Sequence, residues 1–300
     1  MTPDWIAVDW GTTNLRAWAM DAGGVLAQTQ SEDGMGKLAR ADFEPALLRL
    51  IGPWLGAYET PVIACGMVGS RQGWHEAPYR TVPCCPLETG ALVRVPTADP
   101  RIRMHIAPGL KQLKPADVMR GEETQIAGAL ALMPGFDGVF CLPGTHSKWA
   151  QVSAGEVISF QTFLTGELFA LLSESSVLRH GLAGGGWDDA AFDAGVADAL
   201  AVPEKFAARL FTLRAEGLVA ALGAAAARSR LSGLLIGVEL AAAKPYWLGQ
   251  RVVLVGAEAL TQNYARALQH QGLVAERLDA TACTLAGLAI ACGALQRAAE

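Results

Sequence analysis

Short apolar runs, parted by Gly, Asp and Asn, open the chain, and the same arrangement returns near its middle. Residues 4–10, 14–20 and 24–30 (DWIAVDW, NLRAWAM, GVLAQTQ) read as three strands separated by tight polar turns, the second being Asp21-Ala22-Gly23. Phe43, Leu47, Leu48, Ile51, Trp54 and Leu55 then recur at helical spacing, which predicts a helix over 42–57. A short buried strand follows at 61–65. Gly and Pro are frequent over 66–100, so irregular chain is expected there, before a strand near 102–107 and a helix over 122–133.

From residue 138 the opening pattern recurs as strands at 138–142, 147–152 and 157–163, again with a glycine loop after the first. Gly11-Thr12-Thr13-Asn14 matches Gly144-Thr145-His146-Ser147 in Gly, Thr and a polar residue. The next turns, Gly23-Gly24-Val25 and Gly155-Glu156-Val157, align after a two-residue deletion. Helices are predicted at 166–173, 188–200, 204–214 and 216–243. A strand at 251–255 leads through Gly256 into a helix at 258–270, and a strand near 274–277 and a helix at 282–297 finish the chain. The pattern is that of an α/β protein of two similar lobes, 1–134 and 135–300, each opening with a hairpin whose glycine turn faces the other. The last helix is free to pack back on the first lobe.

Composition narrows the class. The 300 residues are 51% hydrophobic and 18% charged, enough for a large core and too apolar for disorder. A net charge of −5 argues against bulk electrostatic binding to nucleic acid. The first residues, MTPDWIAVDW, lack the basic start and apolar core of a signal peptide. The greasy region 217–243 is broken by Arg228, Arg230 and Glu239, so it reads as a buried or amphipathic helix and not as a membrane span. Six cysteines show no C-x-x-C pair and no His at zinc spacing, which points to reduced thiols and a cytoplasmic setting.

The polar turns raise the chemistry. Asp9-Trp10-Gly11-Thr12-Thr13-Asn14 offers a carboxylate, bare backbone and several hydroxyl or amide dipoles, more than a hairpin needs. Glycine lets amides converge on an anion, and threonines add donors without charge. Asp9 suits Mg²⁺ or its waters, since that ion bridges carboxylate to phosphates. The alternative is a hairpin whose acid is satisfied by its own hydroxyls. LVGAEAL at 254–260 adds a strand–glycine–helix junction, where Gly256 and Ala257 let a flat base approach. VMRGEETQIAGAL at 118–130 places Glu122 on one helical face with Ile126, Ala129 and Met133. An acid at a helix start is stabilised by the dipole and suits an ionised base, although acids also crowd first turns for stability alone. No G-x-G-x-x-G follows the first strand and no P-loop G-x-x-x-x-G-K-[ST] occurs.

These paired loops, the junction at 256 and the acid at a helix start resemble the superfamily of sugar kinases, actin and heat-shock chaperones. VDWGTTNLRAW, GMVGSRQGW, PYRTVPCC, VMRGEETQ, LPGTHSKW, TFLTGELFALL, LSGLLIGVEL and LVGAEALTQNYARAL, in order and nearly end to end, resemble the 2-dehydro-3-deoxygalactonokinase family. The resemblance implies a two-lobed actin-like (ribonuclease H-like) fold, each lobe a mixed five-stranded-type sheet flanked by helices around a cleft. It implies transfer of phosphate from ATP, with Mg²⁺, to the C6 hydroxyl of 2-dehydro-3-deoxy-D-galactonate. A phosphohydrolase on the same scaffold, or a kinase for a related 2-keto-3-deoxy sugar acid, is the alternative. By this analogy Asp9 to Asn14 form the first phosphate loop and Gly144 to Ser147 the second, Gly256 and Ala257 border adenosine, and Glu122 is the base, with Glu123 or His146 as substitutes. Many relatives carry an aspartate where this chain has Leu142, which leaves Asp9 as the metal anchor. A sugar-acid carboxylate calls for a cation. Arg71, beside Ser70, is the first candidate, with Trp74 as a wall along the carbon chain, and Arg120 and Lys148 compete with it. Lys148 equally suits neutralising the transferring phosphate. No membrane or nucleic-acid partner is implied, and a homodimer is left open.

Overall fold

The first apolar runs pair as an antiparallel meander, β1 (Trp5–Trp10), β2 (Leu15–Asp21) and β3 (Gly24–Ser31), in the computed structural model, which describes residues 2–299. After α1 (Phe43–Ile51) the chain adds β4 (Thr60–Gly66) parallel to β1, with Asp9 opposite Cys65 and Trp10 opposite Gly66. The two-residue strands β5 (Arg80–Thr81) and β6 (Val93–Arg94) precede β7 (Ile102–Ile106), which lies parallel to β4. The sheet order is β3-β2-β1-β4-β7-β6.

Alternation along β1 sends its two sides into two cores. Ile6, Val8 and Trp10 pack with Phe43, Leu47 and Ile51 of α1. Trp5 and Ala7 face the other way, onto a cluster with Trp18, Ile63, Cys65, Leu288 and Ala291. A hairpin, β8 (Leu110–Leu113) and β9 (Ala116–Met119), joins β5 in a small sheet and delivers the chain to α2 (Glu122–Leu132).

The second sheet repeats the plan. β10 (Gly138–Leu142), β11 (Ser147–Ser153) and β12 (Glu156–Phe163) form its meander. The helices α3 (Thr165–Glu174), α4 (Arg179–Leu182), α5 (Asp189–Ala201), α6 (Phe206–Val219), α7 (Ala224–Ala242) and α8 (Lys244–Trp247) follow. Next, β13 (Val252–Gly256) pairs parallel with β10, and α9 (Glu258–Gln269) and β14 (Glu276–Asp279) complete the order β12-β11-β10-β13-β14. This matches β3-β2-β1-β4-β7 strand for strand. Finally α10 (Ala280–Ala299) packs on α2, where Gln125 Nε2 donates to Thr284 Oγ1 at 3.3 Å. By compactness the chain forms one unit of Met1–Asp137, Val152–Ser159 and Asp279–Glu300, and another of Gly138–Gln151 and Phe160–Leu278.

The class is α/β with mixed sheets flanked by helices, as the pattern predicts. Several details differ. The first sheet has six strands because the edge strand β6 is added. The helix expected over 42–57 ends at Ile51, since Gly52-Pro53 turns the chain into a single 3₁₀ turn. Helix breaks at 215 are replaced by one at 220–223, where Ala221 takes φ 55°. The β8–β9 hairpin escapes the pattern because each of its strands is only four residues long, too short for an alternating run to stand out.

Candidate active site

At the carboxyl end of β1 the chain turns through Gly11 to Asn14. The carbonyls of Gly11, Thr12 and Thr13 accept from the amides of Met35, Gly36 and Gly34 at 2.9, 2.9 and 3.2 Å. In a trans peptide the carbonyl of one residue and the amide of the next point oppositely. The amides of Thr12, Thr13 and Asn14 are therefore turned away from that bracing segment, and these three residues are exposed. The loop is built as a donor edge fixed by backbone bonds.

Asp9 is the penultimate residue of the same strand, half-buried, with Oδ2 ion-paired to Arg16. Its Oδ1 lies 4.0 Å from the Cys65 thiol. No group of three His, Cys, Asp or Glu side chains converges among the described residues. A magnesium ion that arrives with phosphates needs only one or two protein carboxylates, so a single acid such as Asp9 would suffice for it without an all-protein cage.

Two left-handed glycines bring the start of α2 to this strand end. Gly66 (φ 93°) would place a Cβ 2.7 Å from the Trp10 carbonyl, and Gly121 (φ 106°) would place one 3.3 Å from Gly66 Cα. Only bare backbone stacks this closely. Here the two acids of α2 divide. Glu122 is half-buried and accepts from the Arg120 amide at 3.0 Å. Glu123, the substitute base of the sequence reading, is fully buried, accepting from the Gly121 amide at 2.7 Å and from Thr124 Oγ1 at 3.0 Å. Burial, then the neighbouring Glu122 charge, raises Glu123 to about 8. Burial, followed by the charges of Asp9 and Glu123, pushes the Cys65 thiol well up, so it stays unreactive.

In the second sheet β10 ends at Leu142, and the chain turns through Gly144 to Ser147. Because β10 and β13 are parallel neighbours, this loop and the Gly256–Ala257 junction sit at adjacent strand ends. The loop is braced by α3: Glu167 donates its amide to the Thr145 carbonyl at 2.9 Å, and a Cβ on Gly166 would lie 2.2 Å from the Gly144 carbonyl. Thr145 and His146 are exposed, and His146 Nε2 is 2.5 Å from Glu167 Oε2. Ser147 and Lys148 are buried. Ser147 Oγ lies 2.9 Å from Tyr264 Oη, and Lys148 Nζ donates to the His146 carbonyl at 3.4 Å.

Behind the loop stands Glu239 of α7, 1% exposed. It accepts from Trp149 Nε1 at 2.8 Å, from Tyr264 Oη at 2.7 Å and from the Thr165 hydroxyl. Burial raises its pKa, while hydrogen bonds, first those from Thr165 and Trp149, pull it back. Burial and the Glu239 charge push the Tyr264 phenol well up, so it remains an O–H. Beside Gly144 lies a cavity of about 240 Å³ lined by α3, α7 and α9, with Phe169, Trp187, Asn263 and Tyr264 on its wall and Arg228 over the Phe169 ring at 4.8 Å.

The residues expected around the sugar acid are less uniform. Arg71 is exposed, 82% by its side chain, and 3.7 Å from Glu76. Trp74 is 9% exposed and packs with Trp10 and Phe43 at ring separations of 6.2 and 6.4 Å, so it is a core residue with little surface for a ligand. Arg120 is buried against the same loop: a Cβ on Gly69 would lie 2.8 Å from its Nη1. It donates to the Ala77 carbonyl at 2.7 Å and lies over Tyr79 at 4.3 Å, while its Nε and Nη1, with Ser70 Oγ, lack partners among the described residues. The sequence reading missed Glu239, Tyr264 and Thr165. The one available signal was a lone acid within the apolar stretch LLIGVELAAA.

Residues 9–291 match the family model described as 2-keto-3-deoxy-galactonokinase. The chain is 39% identical to a probable 2-dehydro-3-deoxygalactonokinase of Rhizobium meliloti (strain 1021) over 297 residues, 96% of each protein. It is 38% identical to the 2-dehydro-3-deoxygalactonokinase of Escherichia coli (strain K12), covering 91% of each. Among solved structures it is similar to a candidate 2-dehydro-3-deoxygalactonokinase from Sinorhizobium meliloti, with a TM-score of 0.90 at 38% identity, covering 97% of this chain and 99% of that one. No helix among the described residues is long and apolar enough to cross a membrane.

Proposed function

The chain belongs to the 2-keto-3-deoxy-galactonokinase family, and from that premise we propose that it transfers the γ-phosphoryl group of ATP to the C6 hydroxyl of 2-dehydro-3-deoxy-D-galactonate in the cytoplasm. The reading rests on one repeated device: in each sheet a strand of the parallel pair runs into a glycine–threonine loop held from behind. Such loops suit a polyphosphate, because donors fixed in advance do not have to reorganise when charge shifts.

In this reading Glu122 accepts the C6 hydroxyl proton as that oxygen bonds to phosphorus, and the bond to the bridging oxygen breaks to release ADP. The Gly11–Asn14 loop, through the amides of Thr12, Thr13 and Asn14, and the Gly144–His146 turn hold phosphates, while Ser147 acts from within. The cavity beside Gly144 takes the adenosine, with the Gly256–Ala257 junction at the neighbouring strand end. Asp9 holds Mg²⁺, which supplies charge neutralisation for the phosphates. Lys148 adds a positive charge beside the second loop. For the substrate carboxylate we assign the Ser70–Arg71 loop with Arg120 beneath it, where buried guanidinium N–H groups await an acceptor.

A coupled ADP-release screen across 2-keto-3-deoxy sugar acids tests the proposal. Release that depends on 2-dehydro-3-deoxygalactonate, and falls for its epimers, supports it. ADP release at the same rate without any sugar acid overturns it in favour of a phosphohydrolase.

A further inference from the structure

Glu239 does not line the cavity beside Gly144 and yet gathers three donors from three separate elements. Trp149 comes from β11, Thr165 opens α3, and Tyr264 lies on α9. The indole N–H can only donate. A carboxylate offers acceptor positions to all three, whereas a carboxylic acid sets its own O–H against one of them. The Tyr264 proton is then committed to Glu239, at 2.7 Å, so at the 2.9 Å contact with Ser147 the tyrosine oxygen accepts and the serine donates.

We propose that Glu239 is a positioning residue for the nucleotide: through Tyr264 it draws the Ser147 hydroxyl inward, and through Thr165 it pins α3 against the Gly144–Thr145 backbone. The inference rests on reading this loop as a nucleotide loop, and it sharpens that reading. Ser147 is an anchor and not a phosphate donor. The phosphate-facing donors of the second loop are then backbone amides and the exposed Thr145 hydroxyl, held at a fixed height by α3. Tyr264, Thr165 and Gly144 also line the adjoining cavity, so one buried carboxylate sets the geometry of both the base cavity and the loop.

The test uses the whole protein and two readouts. Steady-state kinetics gives separate KM values for ATP and for 2-dehydro-3-deoxygalactonate, and calorimetry measures binding of a non-hydrolysable ATP analogue with magnesium. Tyr264→Phe keeps the ring and removes the link, and is expected to raise KM for ATP and Kd for the analogue about tenfold, as for loss of a hydrogen bond to a charged group. KM for the sugar acid should stay within about twofold on the same reasoning. Glu239→Gln should give a larger effect of the same selectivity. The pair Tyr264→Phe and Ser147→Ala should be non-additive, the double variant no worse than the worse single one. If Glu239→Gln fails to fold, Tyr264→Phe carries the test alone. Unchanged analogue affinity in Tyr264→Phe, or equal rises in both KM values, overturns the proposal. A wild-type protein that binds the analogue but does not phosphorylate the sugar acid would instead sink the assigned reaction, with the loop anchor still measurable by calorimetry.

Discussion

The two glycine loops end equivalent strands of equivalent sheets, yet they are held by different means. The first is fixed by backbone alone, its three carbonyls taken by the amides of residues 34–36. Its acids, Asp9 and Glu122, sit half-buried beside it. The second has Leu142 in the place of Asp9, and its acid, Glu239, is buried behind it and tied to side chains. A carboxylate beside a phosphate is tolerable only with a metal or a proton to take up. Behind the loop, the same group is a brace. In the proposed reading, this difference goes with reaction chemistry at the first loop and nucleotide holding at the second.

Changes in the first region should therefore act on turnover. Glu122→Gln should lower kcat by about 10²–10⁴-fold, the usual loss for a general base, with affinity for the ATP analogue retained. Near-full turnover would move the base elsewhere and erase the contrast. Asp9→Asn should cost about tenfold or more in kcat, in keeping with lost charge stabilisation of phosphates, and should shift the magnesium titration. An unchanged magnesium titration would remove Asp9 from the metal.

Changes in the second region should act on ATP affinity and stability. Thr165→Val removes a hydroxyl bonded to a buried carboxylate, so unfolding in urea should show a loss of about 1.5–3 kcal/mol together with a raised KM for ATP. Thr13→Val in the first loop leaves the backbone bonds intact, and its stability should stay within about 0.5 kcal/mol of wild type. Equal losses at both positions would contradict the distinction between side-chain and backbone bracing.

Legibility followed the same division. The strands, the repeat and the loop positions could be read because period-two burial and glycine turns are local signals, and Asp9 and Glu122 stand in unusual strings. The brace could not. Trp149, Thr165, Glu239 and Tyr264 are spread over more than a hundred residues, and only the packing of α3, α7 and α9 brings them together. The burial of Glu123 escaped for a related reason. A helical wheel places both acids, but the bare backbones of Gly66 and Gly121 decide which one faces inward. Trp74 similarly reads as a loop aromatic until Trp10 and Phe43 enclose it.

A further expected effect concerns pH. With its pKa raised from 4.5 to about 8, Glu123 keeps a proton in the folded chain that the unfolded chain gives up near pH 4.5. Its contribution to stability is complete below that value and is lost as pH rises toward 8. The wild type should lose Tm between pH 5 and 8, and Glu123→Gln, which imitates the neutral acid, should flatten that fall. Parallel profiles for the two proteins would mean that Glu123 is ionised when folded.

The most direct measurement is ³¹P NMR of the products formed from magnesium-ATP and 2-dehydro-3-deoxy-D-galactonate. The expected spectrum shows ADP and a phosphomonoester whose phosphorus couples to the two protons on C6. A spectrum containing only ADP and inorganic phosphate, or an ester on another carbon, would contradict the assignment of this chain as a C6 sugar-acid kinase.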